Sequence, residues 1–99
     1  MIKLTAIEPS KDRCLLLHFS DGARGVFDFT PFVEAGTAMT EPLREPAFFS
    51  KAFIELGALA WPNGFELSAE SLYRRLGEAG ALQRGTAADA MPQGIVVRA

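Results

Sequence analysis

The sequence predicts an α+β fold, in which a small antiparallel β-meander is followed by short helices and by a C-terminal helix packed beside the sheet. Two observations support this fold class. Residues 2–29 contain an alternating apolar segment, a continuous apolar run and a further apolar segment, each of strand length, and turn residues separate them. Residues 68–80 contain a serine suited to cap a helix, leucines one helical turn apart and glycines that can end it.

Three strands are expected before residue 30, over residues 2–7, 13–19 and 24–29. Within the first strand the apolar alternation shifts by one residue at Ile7. Asp21-Gly22 separates the second and third strands, and this pair readily adopts the positive φ of a tight hairpin turn. If the second segment is a strand, Leu15, Leu17 and Phe19 share one of its faces, and on the third strand Phe27 and Phe29 lie opposite Val26 and Asp28.

The middle of the chain is expected to hold short elements. Pro31 ends the third strand because proline cannot donate a ladder hydrogen bond, and residues 32–39 are interpreted as a loop. Thr40 is expected to cap a short helix, and Pro46 begins another short turn. Two extended pieces are expected on either side of Gly57, over residues 53–56 and 58–61.

Trp61 stands directly before a strong turn signal, Pro62-Asn63-Gly64. We expect Trp61 to point into the core, and the turn to set where residues 65–67 leave the sheet for the C-terminal helix. Ser68 is the predicted N-cap of that helix. Two interpretations of the turn stay open: it is a folding device, or it borders a partner surface. The candidate binding surface consists of Trp61, Asn63, Tyr73 and Asp28.

The composition predicts one domain over residues 1–80 and a polar, flexible tail over residues 81–99. The tail ends in a β-prone segment, residues 95–97. We hypothesise that this segment pairs with a sheet edge, in its own chain or in a second copy, and that the protein is a homodimer. The alternative is a disordered tail on a monomer.

Composition also restricts the function. The 99 residues are 48% hydrophobic and 22% charged, as in an average globular domain, and the net charge of -2 argues against direct nucleic-acid binding. Cys14 is the single cysteine, so no internal disulfide can form. No signal-peptide pattern is present, and no stretch approaches the roughly 18 to 20 apolar residues that span a bilayer, so a cytoplasmic protein without membrane association is expected.

The side chains give no indication of catalysis. His18, the single histidine, lies within an apolar strand and is interpreted as outward-facing or satisfied there. No cysteines and histidines have the spacing of a zinc site, and the glycines form no phosphate-binding loop. We therefore expect no catalytic residue, no cofactor and no metal.

Five short segments occur in a fixed order: FSDG at residues 19–22, VFD at 26–28, EPL at 41–43 with Phe48-Phe49, WPNG at 61–64, and Leu72-Tyr73. Over residues 2–76 the chain resembles the DUF2442 family, small bacterial proteins of unknown function. The resemblance implies a compact α+β domain without established enzyme activity. Some members carry a helix-turn-helix after this module, for which residues 77–99 are too short and polar. Others are encoded beside small partners in arrangements suggestive of toxin–antitoxin pairs.

The expected function is therefore a non-enzymatic protein-interaction module, whose partner is a second copy or a small toxin-like protein encoded nearby. The alternative is a regulator or adaptor that reaches nucleic acid through a partner or an additional domain.

Overall fold

The computed structural model describes residues 1–84 and confirms the α+β fold class. The predicted meander is present as β1 (Leu4–Pro9), β2 (Cys14–Phe19) and β3 (Arg24–Asp28), which form an antiparallel sheet in the order β1-β2-β3. The hairpin turn between β2 and β3 uses Gly22 at a φ of 89°. The structure buries the face of β2 that carries Leu15, Leu17 and Phe19, together with Phe27 and Phe29.

The shift of the apolar pattern in the first strand corresponds to a β-bulge. Leu4 pairs with Phe19 and Ala6 pairs with His18, so Thr5 is an extra residue on β1. The extra residue places Ile7 on the same side of the sheet as Leu4, because a bulge moves the following side chains to the opposite face. Leu4 is buried and Ile7 packs partly buried against the same core.

A second antiparallel sheet consists of β4 (Phe53–Glu55), β5 (Ala58–Ala60) and β6 (Glu66–Leu67). The two extended pieces around Gly57 are thereby confirmed. The prediction that residues 65–67 leave the sheet is wrong, because Glu66 pairs with Ala60 on β5. The turn at residues 61–64 closes on itself, with the Trp61 N–H donating to the Phe65 carbonyl at 3.0 Å, and so returns the chain along β5.

The helices are α1 (Thr30–Ala35), a 3₁₀ helix (Glu41–Arg44), α2 (Pro46–Phe49) and α3 (Ala69–Glu78). The loop predicted for residues 32–39 is wrong in its first half, because Pro31 begins α1 as well as ending β3. Proline suits the first turn of a helix, where a backbone N–H has no intrahelical partner. Thr40 precedes the 3₁₀ helix as predicted, but its hydroxyl bonds Thr37 Oγ1 at 2.8 Å and caps no helical N–H.

The C-terminal helix α3 begins and ends at predicted residues. The Ser68 hydroxyl accepts a hydrogen bond from the Ser71 N–H at 3.1 Å, which confirms the N-cap. Leu72 and Leu76 are buried on the face that packs beside the sheet. Of the two glycines that could end the helix, Gly80 does so, with a φ of 71°.

After α3 the chain returns to the open edge of β3. The Gln83 N–H donates to the Arg24 carbonyl at 2.7 Å, and the Arg24 N–H donates back at 2.8 Å. Ala81 and Leu82 pack partly buried against the core. The predicted tail thus makes its first contacts with the sheet at once, whereas residues 95–97 lie outside the described residues. Their pairing with a sheet edge, the homodimer and the boundary at residue 80 stay predictions.

We expect Gly64→Val to lower the free energy of unfolding by about 1–2 kcal/mol, because Gly64 has a φ of 92° and valine is strained in that region. Its nearest obstacle would be Met39 Cε at 3.7 Å, so strain and not crowding sets the loss. The control is Gly77→Val on α3, where a Cβ meets nothing within 4 Å. Urea unfolding of both variants measures the difference, and equal midpoints would contradict a special conformation at Gly64.

Candidate binding cleft

Of the four residues predicted to form a binding surface, Trp61 lies inside the protein. It is 1% exposed, and its ring packs against those of Phe29, Phe49 and Phe65 at centroid distances of 5.6 to 5.9 Å. Its indole N–H donates to the Phe49 carbonyl at 3.0 Å. The ring therefore holds β5 and the following turn to α2, and it is not presented to a ligand.

Asn63 is exposed, and both ends of its amide are used within the fold. Its Oδ1 accepts from the Phe65 N–H at 3.1 Å, and its Nδ2 donates to the Met39 carbonyl at 3.0 Å. The first bond forms the turn and the second joins it to the segment before the 3₁₀ helix. These contacts favour the folding-device interpretation of residues 61–64.

Tyr73 connects three parts of the chain. Its hydroxyl donates to Asp21 Oδ2 in the β2–β3 turn at 2.6 Å and accepts from the Arg84 guanidinium at 2.6 Å. Its ring meets Phe19 edge-on at 5.1 Å. The Tyr73 hydrogen bond holds the pKa of the Asp21 carboxyl below its ordinary value, and the same bond raises the pKa of Tyr73. This network fastens α3 and residues 81–84 to the hairpin.

We expect Tyr73→Phe to destabilise the fold most at intermediate pH. The lowered pKa of Asp21 stabilises the fold above the unfolded carboxyl's pKa of about 3.9, and this contribution is lost as pH falls through the folded value. The raised pKa of Tyr73 acts below the unfolded value of about 10 and is lost as pH rises through the folded one. Chemical unfolding across this range should show the two proteins converging at both ends, and a difference independent of pH would contradict the network.

Asp28 lies at the far end of β3 from this network. Its Oδ1 accepts from the Thr30 N–H at 2.9 Å, and hydrogen bonds from the Thr30 side chain and backbone lower the pKa of its carboxyl. From Arg24 beside the turn to Asp28, the strand extends about 13 Å at its usual rise of about 3.3 Å per residue. The structure therefore does not bring the four predicted residues into one site. Asp28 instead borders a hollow of about 290 Å³ with Phe32, Arg75 and Leu76.

A larger cleft, of about 420 Å³, lies between the β1–β2 turn and the segment from the 3₁₀ helix to β4. The sequence did not indicate it, because its two walls come from segments that are far apart in the chain. Its lining residues include Ile7, Glu8, Ser10, Lys11, Asp12, Arg13, Cys14, Leu15, Leu43, Arg44, Pro46, Phe49, Ser50 and Ala52.

The cleft has an apolar floor and a charged rim. Leu15, Leu43 and Phe49 line it and belong to the hydrophobic core. The rim carries charges of both signs, from exposed Lys11 and Asp12 on the turn among others. A buried apolar centre surrounded by polar groups is the arrangement found in protein–protein interfaces.

The wall at the β1–β2 turn is held in one conformation. Arg13 has a φ of 59°, which is uncommon for a residue other than glycine. Its carbonyl accepts from the Phe29 N–H at 2.8 Å, and the Cys14 N–H donates to the Lys11 carbonyl at 2.9 Å. The first bond ties the turn to the end of β3 and the second closes the turn itself, so this side of the cleft is preformed.

The single cysteine of the chain, Cys14, lines the cleft. Burial, together with the nearby Asp28 carboxylate, raises the pKa of the Cys14 thiol, which therefore stays protonated and weakly nucleophilic. His18 lies on the outward face of β2, where its Nε2 is 2.7 Å from Glu8 Oε2. Within residues 1–84, no group of three or more histidine, cysteine or acidic side chains could hold a metal ion.

The family model for DUF2442, described as a protein of unknown function, matches residues 4–78, which is more than half of the chain. The chain belongs to this family. The resemblance drawn from the five short segments is thereby confirmed. No curated protein and no solved structure gave a match to this DUF2442 chain. In the part of the chain that the structure describes, none of the helices is long and apolar enough to cross a bilayer.

Proposed function

We propose that this DUF2442 protein is a non-enzymatic protein-interaction module, and that its cleft receives an apolar side chain of a protein partner. The observation that supports this proposal is the floor of Leu15, Leu43 and Phe49 at the base of an open cleft of about 420 Å³. Apolar anchors that fill such sites contribute a large share of the binding energy in protein interfaces.

The rim favours a protein over a nucleic acid or a small anion. The cleft is lined by three basic residues, Lys11, Arg13 and Arg44, and two acidic ones, Glu8 and Asp12. The charges of both signs largely cancel, so the rim has no strong positive potential. The net charge of the whole chain, -2, also disfavours binding to a nucleic acid. In this proposal the partner is a second copy or a small toxin-like protein encoded nearby. The proposal includes a cytoplasmic location, where a free thiol such as Cys14 stays reduced.

The proposal is tested by co-expressing the chain with the protein encoded by the neighbouring gene. Ser50 is exposed and lines the cleft, so Ser50→Trp should obstruct it. We expect a complex with the unaltered chain and an affinity lower by about tenfold or more for the variant. Glu34→Trp, an exposed position on α1 outside the cleft lining, is the matched control and should bind normally. Equal binding by both variants would contradict a role for the cleft.

The alternative, a regulator or adaptor that reaches nucleic acid through its partner, is tested with the same proteins. A gel shift at physiological salt compares the chain alone, the neighbouring protein alone and the complex. Retention of DNA by the complex only would favour this alternative, and retention by the chain alone would contradict the expectation from its charge.

A further inference from the structure

Leu56 lies at the tip of the β4–β5 hairpin, where it is 95% exposed and has a φ of 52°. Asparagine, aspartate or glycine is the usual residue at such a position, because two-residue hairpin turns need positive φ and bulky side chains are strained there. Leucine at this position therefore gains nothing from the local backbone conformation. It also gains little from packing within the described residues.

The hairpin tip is held rigidly against the first sheet. The Gly57 carbonyl accepts from the Leu4 N–H at 2.9 Å. A Cβ on Gly57 would come within 2.8 Å of Lys3 Cγ, so the backbone of the tip lies directly on the Lys3 side chain. An apolar side chain presented on a fixed backbone loses little conformational freedom on binding, and such preorganisation favours affinity.

The cleft is close to this tip in the same molecule. Ala52 lines the cleft, and the three-residue strand β4 leads from there to Leu56. That strand spans about 10 Å, and Leu56 faces solvent, so the tip does not fill its own cleft. Because tip and cleft lie at the two ends of β4, a two-fold axis beside this strand would bring each copy's tip towards the other's cleft. Such a reciprocal contact is closed and ends at a dimer.

We propose that Leu56 of one copy inserts into the cleft of a second copy, and reciprocally, so that the protein forms a homodimer. Leu56 meets the apolar floor of Leu15, Leu43 and Phe49. The exposed Glu55 carboxylate next to it meets a rim on which three basic residues, Lys11, Arg13 and Arg44, outnumber two acidic ones, Glu8 and Asp12. This inference rests on the proposed function of the cleft and names the partner of that site.

Sedimentation equilibrium on the full chain tests this dimer. We expect the unaltered protein to dimerise, and both Leu56→Asn and Ser50→Trp to be monomers. Leu56→Asn should still unfold in one cooperative thermal transition, since asparagine tolerates the left-handed conformation, and this transition shows that the variant is folded. The decisive sample is an equimolar mixture of the two variants. Leu56→Asn keeps an open cleft, and Ser50→Trp keeps an intact Leu56. The mixture should therefore form a heterodimer through a single tip-to-cleft contact, with an affinity about tenfold or more below that of the original dimer.

Three results would overturn the inference: a dimer of Leu56→Asn as tight as the unaltered one, a mixture that stays monomeric, or an unaltered protein that is itself a monomer. Val96→Asp in the full chain should leave the dimer intact, and its dissociation would assign the contact to the tail instead. A different result separates the two proposals. If the unaltered protein is a monomer and binds the neighbouring gene's product, while Ser50→Trp does not bind it, the homodimer is rejected and the proposed function of the cleft stands.

Discussion

Trp61→Phe is expected to lower the free energy of unfolding by about 2–4 kcal/mol. Trp61 is 1% exposed and packs against three phenylalanine rings, so a smaller ring leaves a cavity that the surrounding side chains fill only in part. The substitution also removes one of the two donors to the Phe49 carbonyl, the indole N–H at 3.0 Å, and leaves the Ala52 N–H at 3.3 Å. The lost hydrogen bond adds about 0.5–1.5 kcal/mol.

The measurement is urea unfolding followed by circular dichroism, because Trp61 is the single tryptophan and the variant has no indole fluorescence. Phe53→Leu is the control: it also reduces an aromatic side chain, but Phe53 is 40% exposed on β4, so it should change stability much less. A loss below about 1 kcal/mol for Trp61→Phe would be an ordinary surface effect and would contradict the anchoring role.

The anchoring of Trp61 explains why the largest side chain directly precedes a turn. Trp61 fixes one end of the turn in the core, and Asn63 fixes its middle to the Met39 carbonyl. With its start and its middle fixed, the turn leads directly into β6, and Ser68, the residue after β6, is the N-cap of α3. The sequence predicted the direction of the tryptophan side chain, and the turn residues predicted the reversal.

Local patterns predicted most of the fold, because the strands of the meander and α3 are long enough to show a period. β6 has only two residues, so it has no detectable alternation and its pairing with β5 depends on the turn before it. The sequence did not predict α1, because a proline such as Pro31 is compatible with both the end of a strand and the first turn of a helix, where its missing N–H has no partner. The helix forms here together with the packing of Val33, its buried residue, into the core, and this tertiary contact has no local sequence pattern.

The site could not be predicted in the same way. The cleft joins the β1–β2 turn to the segment around Leu43 and Phe49, and no local pattern records that approach. The predicted binding surface includes both Asp28 and Tyr73, yet the length of β3 separates them. Leu56 directly precedes Gly57 at the centre of a hairpin, where a bulky side chain at positive φ is unfavourable, and this departure from the usual turn residues is visible in the sequence.

Gly25→Ala is expected to lower the free energy of unfolding by about 1–3 kcal/mol and to release the chain after α3 from β3. A Cβ on Gly25 would lie 2.7 Å from the Ala81 carbonyl oxygen and 3.1 Å from Leu76 Cδ1. The first obstacle is backbone, so it moves only if residues 81–84 or the end of α3 move with it.

The two hydrogen bonds between Arg24 and Gln83 are the expected point of failure, because they join the displaced segment to the strand that carries the new methyl group. Hydrogen exchange should therefore show faster exchange at the Gln83 amide in Gly25→Ala, in addition to the loss seen by urea unfolding. Gly77→Ala is the matched control: a Cβ there meets nothing within 4 Å, and alanine in a helix should stabilise by up to about 1 kcal/mol. A Gly25→Ala protein with unchanged stability and a protected Gln83 amide would show that α3 and the following residues do not depend on the close approach at Gly25.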